Sequence, residues 1–430
     1  MRPYRFQLSV LLAALLLMSG LNAFACSMCK VTINGKTYLG NNEDSWRTGS
    51  RISFVNAPVG KLGALYMSYG DMFAQGGMNE AGLAFDGLTI YKKNIKIDPS
   101  KQNVTNFSEF VRGIMQNCKT VEDVRAYANR YNRHIIPNGE LFFADKSGRY
   151  LIMEPDTMLL GNDSKYIIAN FCPSITPENE RLNWARYRRG RDFINWQQSD
   201  NGADYCLALV DTMHECREKL GDGTMYSSIA NLSEGDFSLY FYHDYTREVK
   251  FNLKQELAKG DRVIELTSLF PDNIEYDRLV RYKVPQNDRR IFLFLLSCGG
   301  IFGVSAIFFL LSYLINIFRA PRAPDPYSRL RLVMIMICLP MLYYMFALIR
   351  TPAMFYSKAP FQDFQFSLKN VAAYLPFILL LLIGPLIRVN LHLLRRKIWG
   401  LSSKLIFTLN NLVYITLILM FTYWGFYDVL

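Results

Sequence analysis

Residues 26–44 read Cys26-Ser-Met-Cys-Lys-Val-Thr-Ile-Asn-Gly-Lys-Thr-Tyr-Leu-Gly40-Asn-Asn-Glu-Asp44. Two short runs of β-type residues, Lys30–Ile33 and Thr37–Leu39, stand on either side of an Asn-Gly pair, and a polar run follows them. Asn and Gly are turn residues, so the stretch predicts two short strands joined by a turn. The role of Cys26, which begins the stretch, also depends on the residues that precede it.

The 25 residues before Cys26 have the pattern of a secretory signal. A basic start is followed by the apolar run Leu8–Met18, and Ala23-Phe24-Ala25 stands directly before the cysteine. Small residues at the third and first positions before the cut, here Ala23 and Ala25, mark a signal-peptidase site. The pattern predicts residues 1–25 as a signal peptide that is cut after Ala25, which would leave Cys26 as the first residue of the mature chain.

A lipoprotein signal is the rival interpretation, because a Cys directly after a leader can be lipidated. That processing usually requires Leu at the third position before the Cys, where this chain has Ala23. Ordinary cleavage is therefore favoured. The two outcomes exclude each other chemically, since an acylated and lipidated Cys26 has neither a free thiol nor a free amine.

Four long apolar runs dominate the last third of the chain. Each approaches or exceeds the roughly 20 residues that span the hydrocarbon core of a bilayer. The intervening segments 319–331 and 388–404 are rich in Arg and Lys, so the positive-inside rule places them in the cytoplasm and residues 26–290 outside it. Neither Asp nor Glu interrupts a run, so an anchor is favoured over an ion path. The predicted helices cover about 291–318, 332–350, 371–387 and 405–427.

The formal net charge of +11 does not indicate nucleic-acid binding. The leader has two arginines and no acid, and residues 291–430 carry twelve basic side chains against three acidic ones. Residues 26–290 are consequently close to neutral, and a basic nucleic-acid face is not expected there. Cys26-x-x-Cys29 has no second Cys or His pair at ligand spacing, so neither a metal nor a cofactor is expected.

The part between leader and membrane region has the pattern of one mixed α/β domain, about 26–275, followed by a juxtamembrane linker at 276–290. Two hairpins are predicted, 141–144 with 150–154 and 238–243 with 248–253. Helices are predicted near 107–117, 121–132, 178–197 and 203–216.

A cysteine at a mature N-terminus can supply both a nucleophile and a base for amide hydrolysis. Its thiol attacks the carbonyl, and its α-amine, with an ordinary pKa of about 7.7–8.0, can take the thiol proton near neutral pH. The few histidines are then not needed as bases. His134, His214 and His243 stand in no recognisable dyad, so each is expected to be structural.

The stretch from Cys26 to Asp44 resembles the opening of the N-terminal-nucleophile (Ntn) hydrolases of the choloylglycine hydrolase and penicillin V acylase type, which cleave linear C–N amides. Their pattern is a Cys, a hairpin and then Gly-x-Asn-x-Asp, and here Cys26 and Asp44 are 18 residues apart. Further motifs follow in family order across the domain. They are Gly77-Met-Asn-Glu-Ala-Gly-Leu83, Asp145 through Glu154, Ile167-Ile-Ala-Asn170-Phe, Arg181 through Arg191, and Thr224-Met-Tyr-Ser-Ser.

The resemblance implies an α+β fold, a four-layer αββα Ntn domain followed by four transmembrane helices, and a role for each matching residue. Cys26 would be the nucleophile and, through its amine, the base, and Asp44 would orient that amine. The backbone N–H of Asn79 and the side chain of Asn170 would form the oxyanion hole. Arg186 is the best match to an arginine near the nucleophile, with Arg188 and Arg189 as neighbours that could replace it in this role.

One departure from the family concerns substrate choice. Many bile-salt and penicillin members have Arg just before the Asn of Gly-x-Asn-x-Asp, where this chain has Asn41. Bile-salt or penicillin specificity is therefore not implied. Structural interpretations stand beside the catalytic ones, since Asp44 and Asn79 also suit turns, Asn170 suits the end of a strand, and Cys29 suits the core or a disulfide.

The expected function is hydrolysis of a non-peptide linear amide of an N-acyl small molecule through a Cys26 thioester, by a domain held outside the membrane. N-acyl lipids suit the apolar setting. Two alternatives remain open at this stage. The same site could transfer the acyl group to another amine, or the domain could be a non-catalytic ligand-binding or lipoprotein ectodomain. Oligomeric state cannot be inferred.

Overall fold

Two antiparallel sheets form the framework around residues 26–44. The computed structural model describes residues 26–428 except 91–94, 134–137, 217–222, 319–326, 358, 363–365 and 397. The predicted signal peptide and His134 lie outside these ranges. The chain divides into two units, the first ending at Tyr282 and the second beginning at Lys283.

The strands of the first unit are, in chain order, β1 Ser27–Ile33, β2 Lys36–Ser45, β3 Arg51–Val55, β4 Ala64–Ser68, β5 Ala74–Asn79, β6 Leu83–Thr89, β7 Gln102–Asn103, β8 Tyr131–Asn132, β9 Gly139–Asp145, β10 Tyr150–Met153, β11 Met158–Gly161, β12 Lys165–Ile168, β13 Gly223–Asn231, β14 Asp236–Phe241, β15 Asp244–Asn252 and β16 Arg262–Glu265. Its α-helices are α1 Phe107–Asn117, α2 Val121–Ala128, α3 Glu178–Arg181, α4 Ala185–Trp196, α5 Gly202–Met213, α6 Leu253–Leu257 and α7 Ile274–Arg281.

The two large sheets place β2 in an interior position. Within the described residues, a six-stranded sheet has the order β12-β1-β2-β13-β14-β15, and an eight-stranded sheet has the order β11-β10-β9-β6-β5-β4-β3-β16. Because β2 pairs with both β1 and β13, the polar run Gly40–Asp44 is buried in the sheet. Polar side chains are costly to bury without partners, so this run needs a special environment.

The β1–β2 turn explains the pairing of the two strands. Asn34 and Gly35 both have positive φ, 50° and 74°, as the two central residues of a type I′ hairpin turn require. Ile33 therefore lies opposite Lys36, and Ser27 lies opposite Asn42. The Asn-Gly pair thus determines the register that brings the start of β1 against the polar end of β2.

Helices cover one face of each sheet. The helices α4 and α5 contact each other, and α5 contacts β1, β2 and β13. Gly40 makes this approach possible, since a Cβ there would lie 2.5 Å from Cγ2 of Val210 on α5. On the eight-stranded sheet, α1 and α2 enclose a hydrophobic core with fully buried Ile114, Val124 and Phe143.

The predicted helices and hairpins of this unit are confirmed, with changes at their ends. The 107–117 helix agrees with α1, the 178–197 segment divides into α3 and α4, and both hairpins form as β9–β10 and β14–β15. Residues 276–290, predicted as a linker, include most of α7 and the beginning of the next helix.

The second unit holds four helices that are long and apolar enough to cross a membrane, which supports membrane association. They are α8 Arg289–Phe318, α9 Ser328–Arg350, α12 Leu375–Arg395 and α13 Leu401–Tyr423, with the short α10 Ala353–Tyr356 and α11 Leu368–Ala372 between α9 and α12. The third span is longer than predicted. Pro376 lies in the first turn of α12, where proline is well tolerated, and Pro385 lies inside the helix.

Candidate active site

Cys26 is buried at the start of β1, and its thiol contacts the side chain of Glu43. Sγ donates a hydrogen bond to Oε2 of Glu43 at 3.2 Å. The other carboxylate oxygen of Glu43 accepts a hydrogen bond from the hydroxyl of Tyr69 at 3.1 Å. Since Tyr69 follows β4 of the eight-stranded sheet, Glu43 links the two sheets next to the thiol.

Strand alternation explains why Glu43 meets the thiol. Ser27 lies opposite Asn42, so the same register places residue 26 opposite residue 43. Side chains that are directly opposite on an antiparallel pair share one face. Glu43 was not among the residues predicted for the site, although the Asn-Gly turn determines this register and could have identified it.

The other face of β2 points toward the helices. There Asn42 donates to the carbonyl oxygen of Val210 at 2.9 Å and accepts a hydrogen bond from Ser227 at 2.6 Å. Asp44 on this face is paired with Arg186 of α4. The strand therefore presents a thiol partner on one side and a buried ion pair on the other.

The Asp44–Arg186 ion pair is almost completely enclosed. The Asp44 side chain is 2% exposed and the Arg186 side chain 10%. The hydroxyl of Thr224 donates to Oδ1 of Asp44 at 2.6 Å, so the carboxylate has a second partner. Charges this deeply buried require such partners to offset their lost hydration.

Of the three arginines considered from the sequence, Arg186 is the one that reaches Asp44. Arg189 instead pairs with Glu215 at 3.1 Å and donates to the backbone carbonyls of Thr212 and His214. Arg188 makes a long contact, 3.5 Å, to the carbonyl of Leu182, and no bond from it to Asp44 is found within the described ranges. Arg186 and Arg189 are three residues apart and lie on the same side of α4, where both approach Glu215, whereas Arg188 lies on a different face.

The thiol is surrounded by acidic groups. Burial raises the pKa of Cys26 well above its usual value, and the charges of Glu43, Asp44 and Asp86 raise it further. The backbone N–H of Asp44 acts in the opposite direction and lowers the pKa of Cys26. The thiol is consequently protonated at neutral pH, and attack on a carbonyl requires a base that removes its proton.

Glu43 has a pKa that suits a base. Burial raises the pKa of Glu43 to about 7, although hydrogen bonds from Cys26 and Tyr69 lower it. A carboxylate that titrates near neutral pH can both accept and return a proton. Glu43 is therefore in hydrogen-bond contact with the Cys26 thiol and changes its protonation near neutral pH.

Asp86 of β6 is a third buried carboxyl near this face. Its pKa is raised well above the usual value by burial and by the charge of Glu43. A Cβ on Gly76 would lie 2.1 Å from Oδ2 of Asp86, so the glycine leaves the space that this carboxyl occupies. Asp86 and Glu43 thus lie close enough for each to affect the protonation of the groups around the thiol.

Asn79 and Asn170 are buried, but no hydrogen bond joins either of them to the Cys26 cluster in the described part of the chain. The side chain of Asn79 closes the β5–β6 turn by accepting from the N–H groups of Ala81 and Leu83. It also donates to the carbonyl oxygens of Met115 and Cys118 near the end of α1. The Asn79 side chain therefore has the structural role that its sequence context allowed.

Asn170 retains unused hydrogen-bonding capacity. Its Nδ2 donates to the carbonyl oxygen of Thr89 at 2.8 Å, whereas Oδ1 is buried without a hydrogen-bond partner among the described residues. An amide NH₂ has two hydrogens, and the bond to Thr89 uses one of them. Asn41, which shares the Glu43 face of β2, is 2% exposed, and its amide oxygen and nitrogen likewise find no partner in the described ranges.

Cys29 lies on the helix-facing side of β1, away from the Cys26 thiol. Its sulfur is 3.7 Å from that of Cys206 on α5, and both residues are buried. This agrees with the core interpretation of Cys29.

Comparison with known proteins gives similarity in fold at low identity. No protein-family model matches the sequence, and no curated protein matches it. The penicillin V acylase of Agrobacterium tumefaciens is 14% identical, with 50% of this chain and 82% of that chain covered and a TM-score of 0.41. A mutant of the conjugated bile acid hydrolase of Clostridium perfringens is 16% identical, with 58% and 97% covered and a TM-score of 0.42. The case for a function of this chain therefore depends on its own site.

Proposed function

We propose that this chain is a membrane-anchored Ntn amide hydrolase in which Cys26 attacks the carbonyl carbon of a linear, non-peptide N-acyl amide. The observation that carries the proposal is the hydrogen bond from the Cys26 thiol to Glu43, with the buried Asp44–Arg186 pair on the other face of β2. A buried nucleophile in contact with a carboxylate that titrates near neutral pH is the arrangement that acyl transfer requires. The four-layer αββα arrangement is part of this proposal.

The first half of the reaction forms a thioester. The Cys26 sulfur bonds to the acyl carbon as its proton passes to Glu43, and the C–N bond breaks as that proton passes to the departing amine. In the second half, Glu43 takes a proton from water, the oxygen attacks the thioester, and the proton returns to the sulfur as the acid leaves. Protons and bonds balance, and Glu43 ends as it began.

A mature N-terminus at Cys26 would add a second proton acceptor. Three carboxyl groups raise the pKa of the thiol, and the same groups would stabilise a positive charge at its α-amine. Asp44, whose backbone N–H already approaches the thiol, is the proposed group that orients this amine. The pH dependence of acylation distinguishes the amine from Glu43 as the base.

The remaining polar groups are proposed to hold the substrate. The second N–H of the Asn170 amide and the backbone N–H of Asn79 would donate to the oxyanion of the tetrahedral intermediate. Asn41, buried without partners, would bind a polar group on the substrate, in place of the salt bridge that an arginine would make. The four apolar helices support a lipid-like N-acyl substrate and a domain on the outer side of the membrane.

The mature N-terminus is the first test. Protein purified from the membrane of its native type of host is expected to begin at an unmodified Cys26, because the leader ends in Ala-x-Ala. Intact mass and N-terminal sequencing measure this directly. A diacylglyceryl group on Cys26, or a mature end elsewhere, would contradict the proposal, since the thiol or the amine would then be blocked.

The pH dependence of acylation is the second test. The wild-type rate is expected to rise with pH through about 7, because the raised pKa of Glu43 means that its carboxylate becomes populated there. Glu43→Gln is expected to lower the rate by about 10²–10⁴-fold and to remove this transition. Single-turnover acylation measured from pH 5 to pH 9 would give the profile.

Tyr69→Phe is the matched arm of that experiment. The Tyr69 hydroxyl stabilises the Glu43 carboxylate at 3.1 Å, so its loss is expected to move the transition to higher pH while retaining it. If the midpoint and rate are the same in wild type, Glu43→Gln and Tyr69→Phe, the α-amine alone is the base.

A further inference from the structure

Three potential metal ligands from separate elements converge at one end of the six-stranded sheet. Cys216 lies between α5 and β13, His243 lies in the β14–β15 turn, and Glu275 lies in the first turn of α7. One ligand atom from each residue lies within 4.8 Å of the other two. Atoms bound to one zinc ion lie about 2.0–2.3 Å from it and hence within about 4 Å of each other. Small rotations of the exposed Cys216 and Glu275 side chains would shorten the distances between the ligand atoms to this range.

The histidine of this cluster is buried and only partly hydrogen-bonded. The His243 side chain is 8% exposed, and its Nδ1 lies 3.4 Å from Oε2 of Glu275. Its Nε2 is buried and makes no hydrogen bond of ordinary geometry among the described residues, although the backbone of Glu215 lies close to the ring. A buried imidazole nitrogen with so poor a contact is unfavourable unless a ligand completes it.

A neighbouring ring and the backbone both hold His243 in position. The ring of His214 is stacked on that of His243 with 5.8 Å between centroids. The backbone also holds His243 in position, since Tyr242 and His243 have φ values of 49° and 65°, which residues without special turn preference rarely adopt.

We propose that Cys216, His243 and Glu275 bind one zinc ion, with water in the fourth position. Thiolate, imidazole and carboxylate are the three ligand types that zinc takes in proteins, whereas magnesium and calcium take oxygen ligands. On binding, the Cys216 thiol loses its proton to solvent and its sulfur bonds to the metal. The ion has no part in the reaction proposed for Cys26.

The site would stabilise the segment that supports the Asp44–Arg186 pair. Glu215, next to Cys216, lies 3.8 Å from Nε of Arg186 and donates its backbone N–H to the Thr224 hydroxyl at 2.9 Å. That hydroxyl in turn donates to Asp44. A zinc ion on Cys216 would thus hold Glu215 and Thr224 where they contact the buried ion pair.

The experiment is a titration of the purified, metal-stripped full chain with zinc, followed by competition and metal analysis. One equivalent of zinc is expected to bind with release of a proton. Cobalt in place of zinc is expected to give a thiolate-to-metal charge-transfer band. Cys216→Ser, His243→Ala and Glu275→Gln are each expected to weaken zinc binding by more than about 100-fold, because loss of a supporting contact alone costs about 10–100-fold.

Asp277→Asn is the matched control. Asp277 lies two residues from Glu275 on the same helix and is equally exposed, 53% against 52%, but it pairs with Arg281. It is expected to bind zinc as the wild type does. If His243→Ala fails to fold, the exposed Glu275→Gln still decides the question. Absence of stoichiometric zinc binding, equal affinity in Glu275→Gln and Asp277→Asn, or a charge-transfer band that persists in Cys216→Ser would overturn the proposal.

Discussion

Replacement of Cys26 by alanine is expected to lower kcat/KM for amide hydrolysis by at least about 10⁴-fold, because removal of a covalent nucleophile eliminates the reaction path itself. The thiol is buried beside Glu43, so no other sulfur is placed to replace it within the described cluster. The measurement is amine release from a panel of N-acyl amides of different chain length by the full chain in detergent.

Cys29→Ala is the control for this prediction. Cys29 is on the same strand, but it lies on the opposite face and 3.7 Å from Cys206. Its replacement changes packing and leaves the Cys26–Glu43 contact in place, so turnover is expected to stay within a few-fold of wild type. Mass spectrometry after brief substrate exposure is expected to find the acyl group on Cys26. Equal turnover by Cys26→Ala and wild type would refute the nucleophile assignment.

Replacement of Asp44 by asparagine is expected to destabilise the first unit by about 3–5 kcal/mol and to abolish turnover. The mutation leaves the Arg186 charge buried without its carboxylate, and breaking one partner of a buried ion pair has costs of this size. Thr224 can still donate to the asparagine oxygen, so the mutation removes the negative charge and retains this hydrogen bond. At about 2–4 °C per kcal/mol, the thermal unfolding temperature of the full chain in detergent would fall by about 10 °C.

The double variant Asp44→Asn with Arg186→Met separates stability from catalysis. Replacing a buried ion pair by apolar groups is often neutral for stability, so the double variant is expected to recover much of the unfolding temperature and none of the activity. Glu265→Gln is the surface control, because the Glu265 side chain is 54% exposed and that of its partner Arg51 is 32% exposed, so solvent screens the pair. If Asp44→Asn and Glu265→Gln unfold at the same temperature, the buried Asp44–Arg186 pair does not stabilise the first unit by the predicted amount.

Part of the candidate site could be predicted from the sequence because it depends on local pattern. The Asn-Gly turn and the β-type runs beside it predict the β1–β2 strands. The same turn places residue 26 opposite residue 43, so Glu43 was also predictable as a neighbour of Cys26. The membrane helices were predictable for a similar reason, since length and apolar composition alone decide whether a helix can span a bilayer.

Other features depend on contacts between distant parts of the chain. Asp44 and Arg186 are 142 residues apart, and nothing in either local sequence distinguishes Arg186 from Arg189. His243 was expected to be structural, and its position beside Cys216 and Glu275 follows from the packing of three elements. The burial that raises the pKa of Glu43 to about 7 likewise depends on the eight-stranded sheet, which supplies Tyr69.

The sequence by itself determined the hairpin that begins with Cys26, the alternation of its strands and the four apolar helices, because turn preference, side-chain period and hydropathy are local properties. Only the tertiary structure decided that Tyr69 contacts Glu43 and that Asp86 lies near the thiol. Burial, ion pairing and pKa depend on which strand and helix faces pack together, and that packing joins residues more than a hundred positions apart. The position of the Cys26 thiol follows from the local sequence, whereas its pKa depends on contacts with distant parts of the chain.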